Sequence, residues 1–169
     1  MDFPLRAICL LHDHKYTWVK SMESILIIRA TFYEAIADEL LKGAKEVLRN
    51  EKVHTDVVDV PGCFELAPAL SMAASYVEYD GFVALGCVIR GETSHYDLVC
   101  AETARGLNDL AVRMAIPLGF GVITSENEAQ ARARADISGH NIGGRAAKAC
   151  IQMCRLQETW LDKMELSID

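Results

Sequence analysis

Along this chain, short apolar runs rich in β-branched residues alternate with longer stretches in which apolar residues recur every three or four positions. Ser24-Ile25-Leu26-Ile27-Ile28 is a continuous run of the kind expected for a strand covered on both faces. Thr31-x-x-Glu34 has capping-box spacing, which predicts a helix start. Ile36, Ala37, Leu40, Leu41, Ala44, Val47 and Leu48 then follow at helical spacing, with charges on the other face and Asn50 as a stop. The same reading predicts a strand over 55–60 halted by Pro61-Gly62, a helix over 64–77 and a central strand over 82–89. A long helix over 94–115 comes next, opened by Ser94-x-x-Asp97, and a fourth strand over 118–124. Ser125-x-x-Glu128 is expected to cap a helix that breaks at Ser138-Gly139-His140-Asn141, and a last helix runs from 143 to about 164. Strand–helix alternation predicts an α/β domain, and right-handed crossovers between parallel strands make it a three-layer α-β-α sandwich.

Composition narrows the class. A chain of 169 residues suits one domain spanning 1–169, and 51% apolar with 24% charged residues is a globular profile. No apolar stretch approaches the roughly 20 residues of a membrane span. Arg6, Asp13 and Lys15 interrupt the N-terminus, which reads as having no signal peptide. Of the six cysteines only Cys150 and Cys154 lie close, so the expectation is reduced thiols in the cytoplasm and no metal site. A net charge of −7 without a basic patch argues against nucleic acid as a partner.

Ligands of parallel sheets sit outside the carboxyl ends of the strands. Three segments with unusual content leave those ends: 61–65, 90–95 and 120–127. In Arg90-Gly91-Glu92-Thr93-Ser94-His95 a glycine loop enters a helix, leaving backbone N–H groups free for a phosphate or other anion. A bare strand-to-helix turn explains the same pattern. His95 falls in the first helical turn, where the dipole disfavours the imidazolium and suits acid–base work; the bland alternative is a loop hydrogen bond. Glu65 could accept hydrogen bonds from ligand hydroxyls beside Phe64 and Cys63, or merely complement a helix start. Phe32 could stack on a flat heterocycle or staple a helix. Arg132, Arg134 and Arg145 offer guanidinium groups for a phosphate, though most surface arginines are simply solvated.

Three linked stretches, Val60–Leu66, Ala84–Asp97 and Gly121–Asn127, resemble the lumazine synthase family, and the similarity runs from about Ile25 to Leu156. The resemblance implies a four-stranded parallel, flavodoxin-like sheet, with chains assembled as pentamers or larger sets of pentamers. It implies condensation of 5-amino-6-(D-ribitylamino)uracil with 3,4-dihydroxy-2-butanone 4-phosphate to 6,7-dimethyl-8-ribityllumazine, without cofactor or metal. Carried over, Phe32 would stack on the heterocycle, while Cys63, Phe64 and Glu65 would hold the ribityl chain and Val88 and Ile89 would line the pyrimidine site. Gly91, Glu92 and Thr93 would meet the phosphate, completed by Arg134 from an adjoining subunit, and Phe120 would cover the heterocycle across the interface. His95 would shuttle protons. Thr31, Cys63, Ser138 and Ile142 depart from the family pattern. They leave open a weakly catalytic paralogue that binds lumazine or riboflavin, and a generic domain acting through protein contacts is a third reading. Residues 1–22 match weakly, with a neighbour's sheet as a conceivable place for them.

Overall fold

The computed structural model describes residue 22 and residues 24–165, so the weakly matched opening segment, Met22 apart, lies outside the described residues. Four apolar runs form one parallel sheet: β1 (Ser24–Ala30), β2 (His54–Val60), β3 (Gly81–Ile89) and β4 (Leu118–Ser125), in the order β2-β1-β3-β4. Ile27 stands opposite Val57 on one side and Val83 on the other. The central strand β3 is buried from Gly81 through Cys87, which is why it reads as an unbroken apolar run rather than an alternation. At the β2 edge, exposed Asp56, Val58 and Asp59 alternate with half-buried positions.

Period-2 alternation divides the strands between two cores. Ile25, Ile27, Val83, Leu85 and Ile123 face α1 (Glu34–Asn50), α4 (Glu128–Ala135) and α5 (Ile142–Glu165). Leu26, Ile28, Ala30, Phe82, Ala84 and Val122 face α2 (Leu66–Tyr76) and α3 (His95–Met114). Small residues set the spacing on the first side. A Cβ on Gly119 would strike the backbone of Ala146, and one on Gly143 the backbone of Leu40. The Cys150 and Cys154 thiols donate to the carbonyls of Pro117 (3.7 Å) and Asp80 (3.4 Å), so the i, i+4 pair serves packing of α5 on the sheet.

The helix starts differ from the three capping boxes. Thr31 turns its hydroxyl to the Val60 carbonyl (3.2 Å), tying β1 to β2, and the backbone carbonyl of Tyr33 receives the first helical N–H groups of α1. Ser94 precedes α3 without a side-chain cap; the Thr93 hydroxyl accepts from the His95 N–H (3.4 Å), and Asp97 is drawn to Arg90. Asn127, not Ser125, caps α4, its Oδ1 accepting from the Gln130 N–H at 2.9 Å, while Ser125 donates to the Asn127 carbonyl. For Thr31 and Asp97 a longer-range partner took the polar group that local spacing assigned to a cap, whereas Ser125 bonds only two residues on. The helix expected from Phe64 begins two residues later, preceded by a 3-10 turn over Cys63–Glu65. Asn141, at φ 46°, closes the expected break and accepts from the Gly144 N–H (2.9 Å) to head α5.

Candidate functional site

All four strands run in the same direction, so their carboxyl ends lie along one edge, and the ends of β1, β2 and β3 with the loops leaving them build a cavity of about 620 Å³, to which the expected segment 120–127 contributes no wall residue. Phe32 and Tyr33 reach it from the β1–α1 loop, and Pro61 to Glu65 from the end of β2. Val88 and Ile89 come from β3, Gly91 and Thr93 from the loop beyond it, and His95, Tyr96, Leu98 and Val99 from the head of α3. Nine residues expected from the sequence therefore converge: Phe32, Cys63, Phe64, Glu65, Val88, Ile89, Gly91, Thr93 and His95. Phe32 is 75% exposed and makes an edge-on ring contact with Tyr33 (5.0 Å). A ring that open is available for stacking.

Three other expected residues lie off this cavity. Glu92 is exposed on the loop but is not part of the wall. Phe120 sits exposed on β4. Arg134 is half-buried on α4 and donates to the Gln130 carbonyl at 3.0 Å. Arg132 is engaged by Glu128 (2.5 Å) and Arg145 is exposed on α5. Of the departures from the family pattern, Ile142 packs against the α1–α5 core and Ser138 is exposed, both away from the cavity wall.

The loop over 90–95 is held by Arg90, to which sequence reasoning gave no role. Its guanidinium forks onto Asp97 (2.8 and 3.1 Å), reaches Glu126 (3.0 Å) and covers the Tyr96 ring at 4.1 Å. The Arg90 N–H donates to the Ser125 carbonyl, joining the loop to the end of β4. Arg90 holds the Asp97 carboxyl below the usual carboxylate range, and the two acids raise the guanidinium in turn. With that charge committed, what the loop can offer an anion is its backbone N–H groups and the α3 dipole. A side chain added at Gly91 would meet open space, so ligand can approach that backbone closely.

The opposite wall is ordered around Cys63, whose thiol donates to the Cys87 carbonyl (3.5 Å). A Cβ at Gly86 would lie 2.5 Å from the Cys63 sulfur, so only glycine leaves room for it. The Glu65 carboxylate curls over Gly62, where a Cβ would sit 3.1 Å from it. Burial, with mutual repulsion between the thiolates for Cys63, pushes both the Cys63 and Cys87 thiols up to about 12. They are neutral wall groups at physiological pH, not nucleophiles. Tyr33, Leu98 and Val99 were missed as wall residues; the i+3 and i+4 spacing of the last two from His95 was the available signal, and it reads equally well as core.

Residues 23–158 match the family model for 6,7-dimethyl-8-ribityllumazine synthase. A relative of that name from Methylobacterium radiotolerans is 48% identical over 133 residues, covering 79% of this chain and 81% of its own length. Another from Paramagnetospirillum magneticum is 48% identical over 139 residues (78% and 93%). One from Agrobacterium fabrum is 46% identical over 143 residues (82% and 97%).

Proposed function

The chain belongs to the 6,7-dimethyl-8-ribityllumazine synthase family, and we infer from that membership that it is a transferase of riboflavin biosynthesis. It condenses 5-amino-6-(D-ribitylamino)uracil with 3,4-dihydroxy-2-butanone 4-phosphate, releasing phosphate and water and leaving 6,7-dimethyl-8-ribityllumazine. One observation carries the reading: a stacking ring, a carboxylate, a backbone anion loop and a histidine share a single cavity at the carboxyl ends of the strands.

The proposed roles follow from position. Phe32 stacks on the pyrimidine, and Val88 and Ile89 flank it. Glu65, with the backbone at Cys63 and Phe64, takes the ribityl hydroxyls. The phosphate sits on Gly91 and Thr93 at the head of α3, with Glu92 turned aside. His95 lies two residues from that loop and moves protons as the amine adds to the ketone, as water and phosphate leave, and as the ring closes. Holding two substrates in reactive register supplies much of the rate.

Phe120 and Arg134 are proposed to serve a neighbour's cavity, in a ring of five chains or a larger set of such rings. Neither lines its own chain's cavity, which supports this, as do the exposed Met72, Tyr76, Leu98 and Val112 on α2 and α3. Head-to-tail contacts of this kind close into rings. Cyclisation in the cytoplasm is the proposed setting; no helix among the described residues is long and apolar enough to cross a membrane. Mixing purified protein with both substrates and following lumazine absorbance and fluorescence tests the reading. Product is expected, and a folded assembly that makes none overturns it.

A further inference from the structure

Three walls of the cavity meet at one buried residue. Cys63 is 5% exposed, and its carbonyl accepts two hydrogen bonds: from the Leu66 N–H that begins α2, and from the Thr103 hydroxyl on α3 at 3.2 Å. Its thiol reaches the Cys87 carbonyl of β3, one residue before Val88. The 3-10 turn carrying Phe64 and Glu65, the end of β3 and the helix headed by His95 are thereby joined.

Thr103 is the unusual member. It is 1% exposed and occupies the middle of the stripe Val99, Thr103, Leu107, whose other members are buried and apolar. Packing alone would accept valine there. A threonine within a helix ordinarily returns its hydroxyl to a carbonyl one turn earlier on the same helix. This hydroxyl instead crosses 40 residues of sequence to the turn at Cys63. In a buried setting such a bond fixes geometry, because neither group has water as an alternative.

We propose that Thr103 is a positioning residue for the pyrimidine side of the site, holding Phe64 and Glu65 in register with His95 through the Cys63 carbonyl. The inference rests on the reading of this cavity as the pyrimidine site. Loss of the bond leaves the Cys63 carbonyl its Leu66 partner, so the fold survives while the turn gains freedom. The phosphate loop at Gly91 and Thr93 has its own anchor in Arg90 and is insulated from the change.

The test is steady-state kinetics of T103V and T103S in the full-length protein, with each substrate varied in turn. For T103V the KM of the ribitylamino-pyrimidine should rise about tenfold, the equivalent of one buried hydrogen bond. The KM of the butanone phosphate should stay within about twofold, and T103S, which keeps the hydroxyl, should restore the pyrimidine KM. If T103V does not fold, T103A supplies the same comparison without added bulk. An unchanged pyrimidine KM, equal increases for both substrates, or no recovery in T103S would each overturn the assignment. A wild-type protein inactive on both substrates would instead overturn the underlying reading, and the two failures are told apart by that control.

Discussion

The two faces of the sheet draw on the same strands and finish differently. On the α1, α4 and α5 side, Ile25, Ile27, Val83 and Leu85 meet helices that approach so closely that Gly119 and Gly143 leave no space for a Cβ. Over the body of the sheet that face is finished within the chain, and among the described residues of its three helices the exposed large apolar side chains are Met153, Leu156, Trp160 and Leu161 on α5. The α2 and α3 side buries Leu26, Ile28, Phe82 and Ala84 equally well beneath its helices, yet leaves Tyr76 85% and Val112 73% exposed and opens into the cavity at the strand ends. One face closes its apolar surface on itself, while the other leaves apolar surface open, which the proposed function assigns to ligand and neighbour. Thr103 and the Cys63 carbonyl meet on the open face, and the exposed Arg90 clamp stands at its mouth.

This division can be broken or sharpened by experiment. The largest effect is expected from His95→Ala, on an exposed helix head. Turnover should fall by about 10²- to 10⁴-fold, the usual contribution of acid–base catalysis. Denaturant stability should move by no more than about 0.5 kcal/mol, as for most surface changes. Unchanged turnover would remove His95 from its role.

Gly119→Ala probes the closed face. Its new Cβ would press on the Ala146 backbone, so α5 must lift from β4. Urea denaturation should register a loss of about 3 kcal/mol, the upper end of overpacking costs. The KM values of the folded protein should hold; wild-type stability would show that this face is not tightly closed.

Arg134→Ala comes next. The KM for the butanone phosphate should rise about tenfold, as when one charge-assisted contact is lost. A change confined to the pyrimidine's KM would contradict the phosphate assignment. The mass of the assembly, read by sedimentation, should be unaffected.

The smallest effect concerns the wall thiols. Cys63 and Cys87 keep their protons up to about 12 in the folded chain, against an ordinary value near 9. The folded state therefore binds more protons than the unfolded one in that window. The stability from these groups is complete below pH 9 and declines as the pH rises toward 12. Cys63→Ala should flatten that alkaline limb in pH-resolved urea titrations, and iodoacetamide at pH 8 should leave both thiols unmodified in the folded protein. Rapid labelling of either would mean the open face is looser than its buried geometry implies.

Sequence periodicity was sufficient for the strands, the helices and their order, because a two-residue or 3.6-residue repeat records which side of an element is buried. Gly91, Thr93, His95, Phe64 and Glu65, which share one cavity, were recognisable as a candidate site because they occur in linked stretches at the ends of predicted strands. Tertiary structure alone decided where each polar side chain finds its partner. Thr31 left its expected cap for Val60, Arg90 gathered Asp97 and Glu126, and Thr103 crossed to Cys63. A hydroxyl or guanidinium takes whatever partner the fold brings within about 3 Å. Which chain positions come that close depends on packing between elements, and no spacing along the chain encodes it.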